Sequence, residues 1–263
     1  MGKIYSLVNQ KGGVGKTTTT INLGAYLAKA GKRVLLVDLD PQANATSCLG
    51  VDKAGQAGGT YEALIGQKTV NSFILRNQNY QLSLLPSSQA LAGAEVELVS
   101  EFQREFRLRD ALAPIEDYYD YILIDCPPSL GLLTVNGLLA AKDGVIIPIQ
   151  CEFLALEGLT QLMGTIQRIQ RVFRELSIRG MLLTMYDGRT NLASDVRDEV
   201  RGHFPELVFD TIIPRSIKLA EAPSFGQPIS LYAPDSTGAK AYQALASEVI
   251  TDDEIEKDVD AAG

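Results

Sequence analysis

Apolar and polar positions follow one another in blocks that predict strands and helices in turn. Short, continuous apolar runs, such as residues 33–38 and 120–125, are typical of strands buried on both faces of a parallel sheet. Segments with apolar residues three or four positions apart, such as 18–30, separate these runs and predict helices. This alternation predicts an α/β fold, a single doubly wound, mostly parallel sheet with helices on both faces.

The predicted strands cover residues 4–8, 33–38, 81–85, 120–125, 144–150, 178–186 and 207–213. The predicted helices cover residues 18–30, 60–65, 91–115, 132–141, 154–176, 192–204 and 237–249. The segments 44–50 and 54–59 are small, polar and glycine-rich, which predicts loops. Pro148 requires a bulge or an unpaired edge in its strand, because proline has no backbone N–H.

The chain shows no repeat or linker, so we expect one α/β domain over residues 1–250. Residues 251–263 carry six acidic residues against Lys257, a net charge of −5, and we expect them to form a disordered tail. The whole chain of 263 residues has a net charge of −8. That charge argues against a protein that simply coats nucleic acid, although a local basic patch is compatible with it.

Composition also indicates the compartment. The sequence has no run of about 18 apolar residues, so no membrane-spanning helix is predicted. Its first residues enter a predicted strand at once, and no signal peptide is apparent. The three cysteines, Cys48, Cys126 and Cys151, do not suit a disulfide framework. We therefore expect a cytoplasmic protein with reduced thiols.

The stretch 4–20, IYSLVNQKGGVGKTTTT, combines a strand, a glycine-rich turn and the start of a helix. Phosphate binding requires that order, because the N–H groups of the turn and of the helix N-terminus then point at the anion. Lys16 would neutralise the β- and γ-phosphates, and the Thr17 hydroxyl would ligate Mg²⁺. Gln10 stands where the plain P-loop pattern has its first glycine, and an additional lysine, Lys11, follows it.

Carboxylates follow two of the predicted strands. Asp38 and Asp40 lie in DLDPQ after the first long apolar run, and Asp125 precedes CPPS after the second. Ligands of doubly wound sheets bind at the carboxyl ends of the strands. A strand-ending aspartate is the Walker B arrangement, which holds Mg²⁺ directly or through water. An aspartate before proline is also a common turn signal, so the prediction of a magnesium–nucleotide site depends on the order of the three motifs.

The KGGVGKTT stretch is the deviant Walker A motif and resembles that of the ParA/MinD group of P-loop ATPases. The segments LLVDLDPQANAT, DYILIDCPPSLGLLTVNGL, VIIPIQCEFLALEGL and IPRSIKLAEAPSFGQPI resemble ParA/Soj chromosome- or plasmid-partitioning ATPases, so the resemblance covers nearly the whole chain. It implies hydrolysis of ATP with Mg²⁺ by a homodimer that sandwiches two nucleotides. It further implies non-specific binding to double-stranded DNA, stimulation by a ParB-type protein, and association with the nucleoid.

The resemblance also assigns roles to residues. Lys11 would cross the dimer interface to the partner's nucleotide, and Asp40 would orient the attacking water and reach Mg²⁺ through water. Asp125 would support Mg²⁺, also through water. The residues that would cradle the phosphates are Gly12, Gly13, Val14, Gly15, Lys16, Thr17 and Thr18.

Later segments supply the remaining candidates. By the same resemblance, Glu152 would lie near the partner's nucleotide, and Met185 and Pro214 would contact the base. The candidates for contact with DNA are Arg189, Arg215 and Lys218.

Three other functions stay open at this point. A MinD-like, membrane-associated ATPase would need a basic amphipathic C-terminal helix, whereas TDDEIEKDVDAAG is acidic. An iron–sulfur carrier on the same fold would need cysteines at CxxC spacing, and Cys126 has no such companion. A pseudo-ATPase scaffold would carry substitutions at catalytic positions, and we find none. His203, the one histidine of the sequence, is expected at the surface or at a boundary position.

Overall fold

The computed structural model describes residues 2–52, 57–66, 68–77, 81–152 and 155–262, and a seven-stranded sheet organises this part of the chain. Its strands are β1 (Lys3–Leu7), β2 (Val34–Asp38), β3 (Leu75–Asn77), β4 (Leu82–Leu85), β5 (Tyr121–Asp125), β6 (Val145–Gln150) and β7 (Ile178–Thr184). They lie in the order β3-β4-β2-β5-β1-β6-β7, and only the β3–β4 pair is antiparallel. The predicted doubly wound, mostly parallel sheet is confirmed.

Helices cover both faces of this sheet. They are α1 (Lys16–Lys29), α2 (Asn44–Cys48), α3 (Thr60–Ile65), α4 (Leu91–Glu97), α5 (Arg107–Leu112), α6 (Leu132–Ala140), α7 (Ala155–Gln170), α8 (Asn191–His203), α9 (Ile217–Glu221), α10 (Ile229–Tyr232) and α11 (Thr237–Ala262). Short 3₁₀ turns lie at Val70–Ser72, Leu98–Ser100, Arg104–Phe106, Glu116–Tyr118 and Ala222–Phe225.

The continuous apolar runs are explained by two hydrophobic clusters, one on each face of the sheet. In β2, Leu35 and Val37 belong to the cluster with α3 to α8, whereas Val34 and Leu36 belong to the cluster with α1, α10 and α11. Successive side chains of a strand point to opposite faces, so a strand covered on both sides needs apolar residues at every position.

Pro148 satisfies the expectation of an irregular or unpaired position in β6. It lies beyond the last pairing of β6 with β1, which joins Leu7 and Ile146. Its carbonyl accepts a hydrogen bond from Asn9 Nδ2 at 2.8 Å. A residue's N–H and C=O point to the same side of a strand. The side of Pro148 that lacks an N–H therefore faces the region past the end of β1, and the sheet loses no hydrogen bond between strands there.

The prediction of a strand over residues 207–213 is wrong. Within this segment, Val208 alone forms a bridge to β7, with Met181, and no ladder follows. The carboxylate of Glu248 on α11 accepts hydrogen bonds from the backbone N–H groups of Asp210 and Thr211 at 2.6 and 3.0 Å. The N–H of Phe209 donates to the Met181 carbonyl, so in a continued strand the N–H of Thr211 would also face β7. Glu248 on α11 binds that donor instead.

Three further differences are local. The predicted helix 91–115 is divided into α4 and α5, and between them Gln103 has a φ of 54°, a left-handed conformation through which an α-helix does not continue. β3 was not predicted because it has three residues, two of them polar. α2 forms within the predicted loop 44–50. Residues 54–56 of the other predicted loop, and Leu154 at a predicted helix start, lie outside the described residues.

The prediction of a disordered acidic tail is wrong for residues 251–258, which continue α11. Asp253 is 1% exposed and accepts hydrogen bonds from the Tyr5 hydroxyl at 2.7 Å and from Arg179 Nε at 3.2 Å. Glu256 and Glu254 form ion pairs with Lys3 and Lys32 at 3.0 and 3.3 Å. Cations at the amino ends of the strands thus hold the acidic segment on the sheet.

We predict that Asp253→Ala destabilises the protein by about 2–4 kcal/mol, because it leaves the buried Arg179 guanidinium and the Tyr5 hydroxyl without this partner. Urea unfolding measures the change in free energy. Asp258→Ala, at an exposed position of the same helix, is the control and should change stability by less than about 0.5 kcal/mol. Equal stabilities for the two variants would show that α11 does not pack here.

Candidate nucleotide-binding site

The glycine-rich loop lies between β1 and α1 and is held by the ends of two neighbouring strands. Gly13 and Gly15 have φ values of 76° and 94°, in the region that favours glycine. Asn9 fixes the loop's beginning, since its Nδ2 donates to the Pro148 carbonyl and its Oδ1 accepts from the Lys11 N–H at 3.0 Å. The Thr184 hydroxyl donates to the carbonyl of Val14 at 2.8 Å.

Lys16 lies across the mouth of this loop. Its ammonium donates to the carbonyl oxygens of Asn9 at 2.9 Å and of Lys11 at 3.3 Å. Burial lowers the pKa of Lys16, and the charge of Asp125 partly opposes that effect. A buried cation with two neutral acceptors would gain from an anionic ligand, because charge-assisted hydrogen bonds are the stronger ones.

A hydroxyl and a carboxylate meet at the start of α1. The Thr17 hydroxyl donates to Asp125 Oδ2 at 2.7 Å, and Thr20 Oγ1 is 3.5 Å from Asp125 Oδ1. Asp125 is fully buried, and burial, followed by the charge of Asp38, raises its pKa. The described residues contain no group of three His, Cys, Asp or Glu side chains that could hold a metal. Thr17 and Asp125 suit Mg²⁺ instead, because that ion is usually bound by one or two protein groups together with phosphates and water.

Asp38 and Asp40 have different surroundings. Asp38 Oδ2 accepts from the backbone N–H and the hydroxyl of Thr46 at 2.8 and 2.7 Å, and its Oδ1 accepts from the Asp40 N–H at 3.2 Å. Asp40 Oδ1 accepts from the Gln42 N–H at 2.9 Å. Asp40 Oδ2 has no hydrogen-bond partner among the described residues. Asp38 therefore anchors α2, whereas Asp40 keeps an oxygen for a ligand.

A pocket of about 250 Å³ adjoins the glycine-rich loop. The predicted base-contacting residues Met185 and Pro214 line it together with Gly15 and Thr18. Met185 has a φ of 51°, which is rare for a residue with a side chain and typical of strained positions at ligand sites. A mostly apolar pocket of this volume beside a phosphate-type loop is a candidate site for a base.

Glu152 lies at the outer edge of the site, between two cations. Its Oε1 is 2.9 Å from Arg215 Nη2, and its Oε2 is 4.0 Å from Lys11 Nζ. Lys11 is half-exposed, and its ammonium lies near Glu152, whereas the Lys16 ammonium contacts the carbonyl groups of Asn9 and of Lys11 itself. The structure thus brings together three residues that the sequence indicated separately.

Each candidate for contact with DNA is exposed and already paired with a carboxylate. Arg189, whose side chain is 87% exposed, lies 2.7 Å from Asp187, and Lys218 lies 2.8 Å from Glu221. Arg215 is paired with Glu152, as described above. An approaching phosphate would compete with these carboxylates.

Sequence reasoning missed the polar residues that hold the site in place. Asn9 follows β1, Ser87 follows β4, and Thr184 ends β7; each fixes the backbone of a site loop. The sequence contains a signal for these residues, because all three are polar and lie at the carboxyl end of an apolar strand. The same position relative to a strand indicates Asp38 and Asp125.

Comparison with known proteins agrees with this geometry. A family model described as an AAA domain matches residues 2–178. The chain is 54% identical over 250 residues to the sporulation initiation inhibitor protein Soj of Bacillus subtilis, covering 95% of this chain and 98% of that protein. It is 52% identical over 254 residues to the chromosome partitioning protein ParA of Myxococcus xanthus, covering 96% and 89%. A solved structure of cobyrinic acid a,c-diamide synthase from Mycobacterium smegmatis, with bound ADP and magnesium, is similar with a TM-score of 0.83 at 40% identity, over 95% and 94% of the two chains.

We predict that Asp38 and Asp125 make the ligand-free protein less stable as pH rises above about 4, the pKa of aspartate in an unfolded chain. Both carboxyl groups have raised pKa values in the fold, so they bind more protons in the folded state than in the unfolded state, and their contribution to stability decreases through this range. Asp125→Asn should reduce the decrease between about pH 5 and pH 8 by at least about 1.4 kcal/mol, the equivalent of one pKa unit.

Thermal unfolding in EDTA, at several pH values, measures this difference. Asp117→Asn, at an exposed position, is the matched control and should keep the pH dependence of the unsubstituted protein. The same pH dependence for Asp125→Asn and for the control would contradict the raised pKa of Asp125.

Proposed function

The chain belongs to the AAA-domain family and, within it, to the ParA/Soj group of partitioning ATPases, and from this premise we propose an ATP-dependent DNA-segregation cycle. In this cycle the ATP-bound chain forms a sandwich homodimer, binds double-stranded DNA non-specifically, and hydrolyses ATP when a ParB-type partner stimulates it. The observation that carries the proposal is the convergence of the glycine-rich loop, Asp125 and the apolar pocket at one edge of the sheet.

The fixed parts of the site suit nucleotide binding. The backbone N–H groups of residues 12–18 cradle the phosphates, and the ammonium of Lys16 exchanges two carbonyl partners for phosphate oxygens. Thr17 and Asp125 would hold Mg²⁺, Asp125 through water, and the ion would neutralise charge on the phosphates. Met185 and Pro214 contact the base.

Asp40 is the group best placed to orient the attacking water. Hydrogen bonds from the chain itself engage both carboxylate oxygens of Asp38, whereas Asp40 Oδ2 has no partner in the described structure. Phosphoryl transfer depends mainly on positioning and charge neutralisation, so one oriented water acceptor is sufficient for this role.

The position of Lys11 supports a role across a dimer interface. Its side chain is 40% exposed and extends toward Glu152 instead of joining Lys16 over the loop. A lysine held outside its own phosphate cradle can reach the nucleotide of a second copy. Glu152 lies beside it and would face the same interface.

The name of the Mycobacterium smegmatis neighbour indicates another use of ATP, the formation of amides. The two activities differ in what they require, because amide synthesis needs a carboxylate acceptor and a nitrogen donor, whereas hydrolysis needs only water. Phosphate release from ATP with Mg²⁺, in a buffer without acceptor or donor, would therefore support the ATPase proposal.

We propose that Arg189, Arg215 and Lys218 contact DNA. Binding to DNA would place the protein on the nucleoid. Two subunits would bring two sets of these cations together, which supports binding by a chain whose net charge is −8. No helix in the described part of the chain is long and apolar enough to cross a membrane.

We predict that Asp40→Ala slows ATP hydrolysis by about a hundredfold and retains ATP binding, because the variant loses the group that orients water while the phosphate cradle stays intact. Size-exclusion chromatography with ATP should show a persistent dimer. Asp117→Ala, at an exposed position far along the sequence, should hydrolyse ATP normally. Normal turnover in Asp40→Ala would exclude this role for Asp40.

Lys11→Ala and Lys16→Ala should separate dimerisation from nucleotide binding. Lys16→Ala should weaken nucleotide affinity by about a hundredfold, since the variant cannot make a charge-assisted hydrogen bond to phosphate. Lys11→Ala should keep the affinity of the monomer and lose dimerisation and turnover. Titration with a fluorescent ADP, followed by sedimentation with ATP, measures both properties. An equal decrease of monomer affinity in both variants would show that Lys11 acts within its own subunit.

Arg189→Ala, Arg215→Ala and Lys218→Ala should each weaken DNA binding and lower the slope of its salt dependence by about one for each phosphate that is no longer neutralised, without a change in sequence preference. ATP hydrolysis measured without DNA should be unchanged in Arg189→Ala and Lys218→Ala, which checks that these variants keep an intact nucleotide site. Arg174→Ala, an exposed arginine after α7, controls for the removal of positive charge. If all three variants dimerise and bind DNA like the unsubstituted protein at several salt concentrations, the DNA surface lies elsewhere.

A further inference from the structure

Glu152 is a single carboxylate that faces two cations of its own chain. Arg215 Nη2 is 2.9 Å from Oε1, within hydrogen-bond distance, whereas Lys11 Nζ is 4.0 Å from Oε2, at the limit of an ion pair. All three side chains are about half-exposed. Because Coulomb attraction falls with distance, Arg215 is the stronger partner and Lys11 the weaker.

The two cations also differ in how firmly they are held. The backbone N–H of Arg215 donates to the Tyr186 carbonyl at 2.9 Å, and Pro214 before it bridges to the same residue. Arg215 is therefore anchored beside the base pocket, which it also lines. Lys11 belongs to the glycine-rich loop, and its long side chain ends at Glu152. A change at Glu152 should move Lys11 more readily than Arg215.

We propose that Arg215 is a positioning residue for Lys11. By engaging Glu152, Arg215 prevents that carboxylate from closing on Lys11, so the lysine is free to leave its own subunit and reach the nucleotide of a second copy of this chain. The inference rests on the proposed function, in which Lys11 acts across the dimer. It gives Arg215 a role that is separate from contact with DNA.

The expected effect follows from the strength of an exposed ion pair. Without Arg215, Glu152 would pair with Lys11 directly, and a pair of this kind shifts an equilibrium by about twofold to fivefold. A symmetric dimer contains two such sites, so ATP-dependent dimerisation should weaken by about tenfold. If Glu152 is absent as well, no carboxylate holds Lys11, and the removal of Arg215 should have no effect on dimerisation.

The experiment is a double-mutant cycle on the full chain with Arg215→Ala, Glu152→Gln and both together. Sedimentation with Mg²⁺ and a non-hydrolysable ATP analogue, without DNA, gives the dimer dissociation constant. We expect Arg215→Ala to raise it about tenfold, Arg215→Lys to stay close to the unsubstituted protein, and Arg215→Ala to have no effect when Glu152→Gln is present. Arg174→Ala controls for the removal of an exposed arginine.

A second readout needs neither ATP nor a dimer. Competitive amine labelling of the nucleotide-free monomer, read by mass spectrometry, reports the reactivity of Lys11. A closer carboxylate raises the pKa of the amine and lowers its reactive fraction. Arg215→Ala should therefore label severalfold more slowly at Lys11, and adding Glu152→Gln should restore the rate.

The outcomes separate the two proposals. If Arg215→Ala weakens dimerisation equally with and without Glu152→Gln, Arg215 acts on the nucleotide pocket directly and the inference is overturned. Unchanged dimerisation and unchanged Lys11 labelling in Arg215→Ala also overturn it. If the unsubstituted protein does not dimerise with the ATP analogue, the dimer of the proposed function fails, and the labelling of Lys11 alone decides whether Arg215 positions it.

Discussion

The hydrogen bond between Thr17 and Asp125 is the interaction on which the rest of the site depends. It joins the first turn of α1 to the end of β5, one of the central strands of the sheet, at a distance of 2.7 Å. β1 lies between β5 and β6, so the loop that leaves β1 has a neighbour on each side. Asn9 binds the loop to β6 and Thr184 binds it to β7. The loop is therefore shaped by the sheet before any ligand is present.

This arrangement places opposite charges in a buried setting without pairing them fully. Burial lowers the pKa of Lys16 and raises that of Asp125, which means that the charged form of each group is disfavoured. Lys16 contacts carbonyl oxygens, and Asp125 contacts hydroxyl groups. A ligand that brings both a cation and phosphate oxygens would supply the missing partners of both groups, so magnesium and nucleotide should bind together. The site resembles a preorganised receptor for that pair of charges.

Much of the fold and of the candidate site could be predicted from the sequence, and the predictions that failed have physical causes. The apolar runs of β2 and β5 gave reliable strands because both faces are covered, and the order of the motifs correctly placed Lys16, Thr17 and Asp125 at one edge. Contacts between residues far apart in sequence were not predictable. Glu248 binds the backbone N–H groups of Asp210 and Thr211 in the segment predicted to be a strand, and Asp253 is buried beside Tyr5 and Arg179. The pairing of Glu152 with Arg215 also joins distant segments, and no local pattern indicates it.

The central claim is that two copies of the chain complete one another's sites. Phosphate release from ATP with Mg²⁺, measured over a wide range of protein concentrations without DNA or partner, tests it directly. If Lys11 acts across a dimer, the rate per protein molecule rises with concentration and levels off once the dimer is saturated. A rate per molecule that stays constant down to concentrations at which sedimentation shows only monomer would contradict the account, because the site would then be complete within one chain.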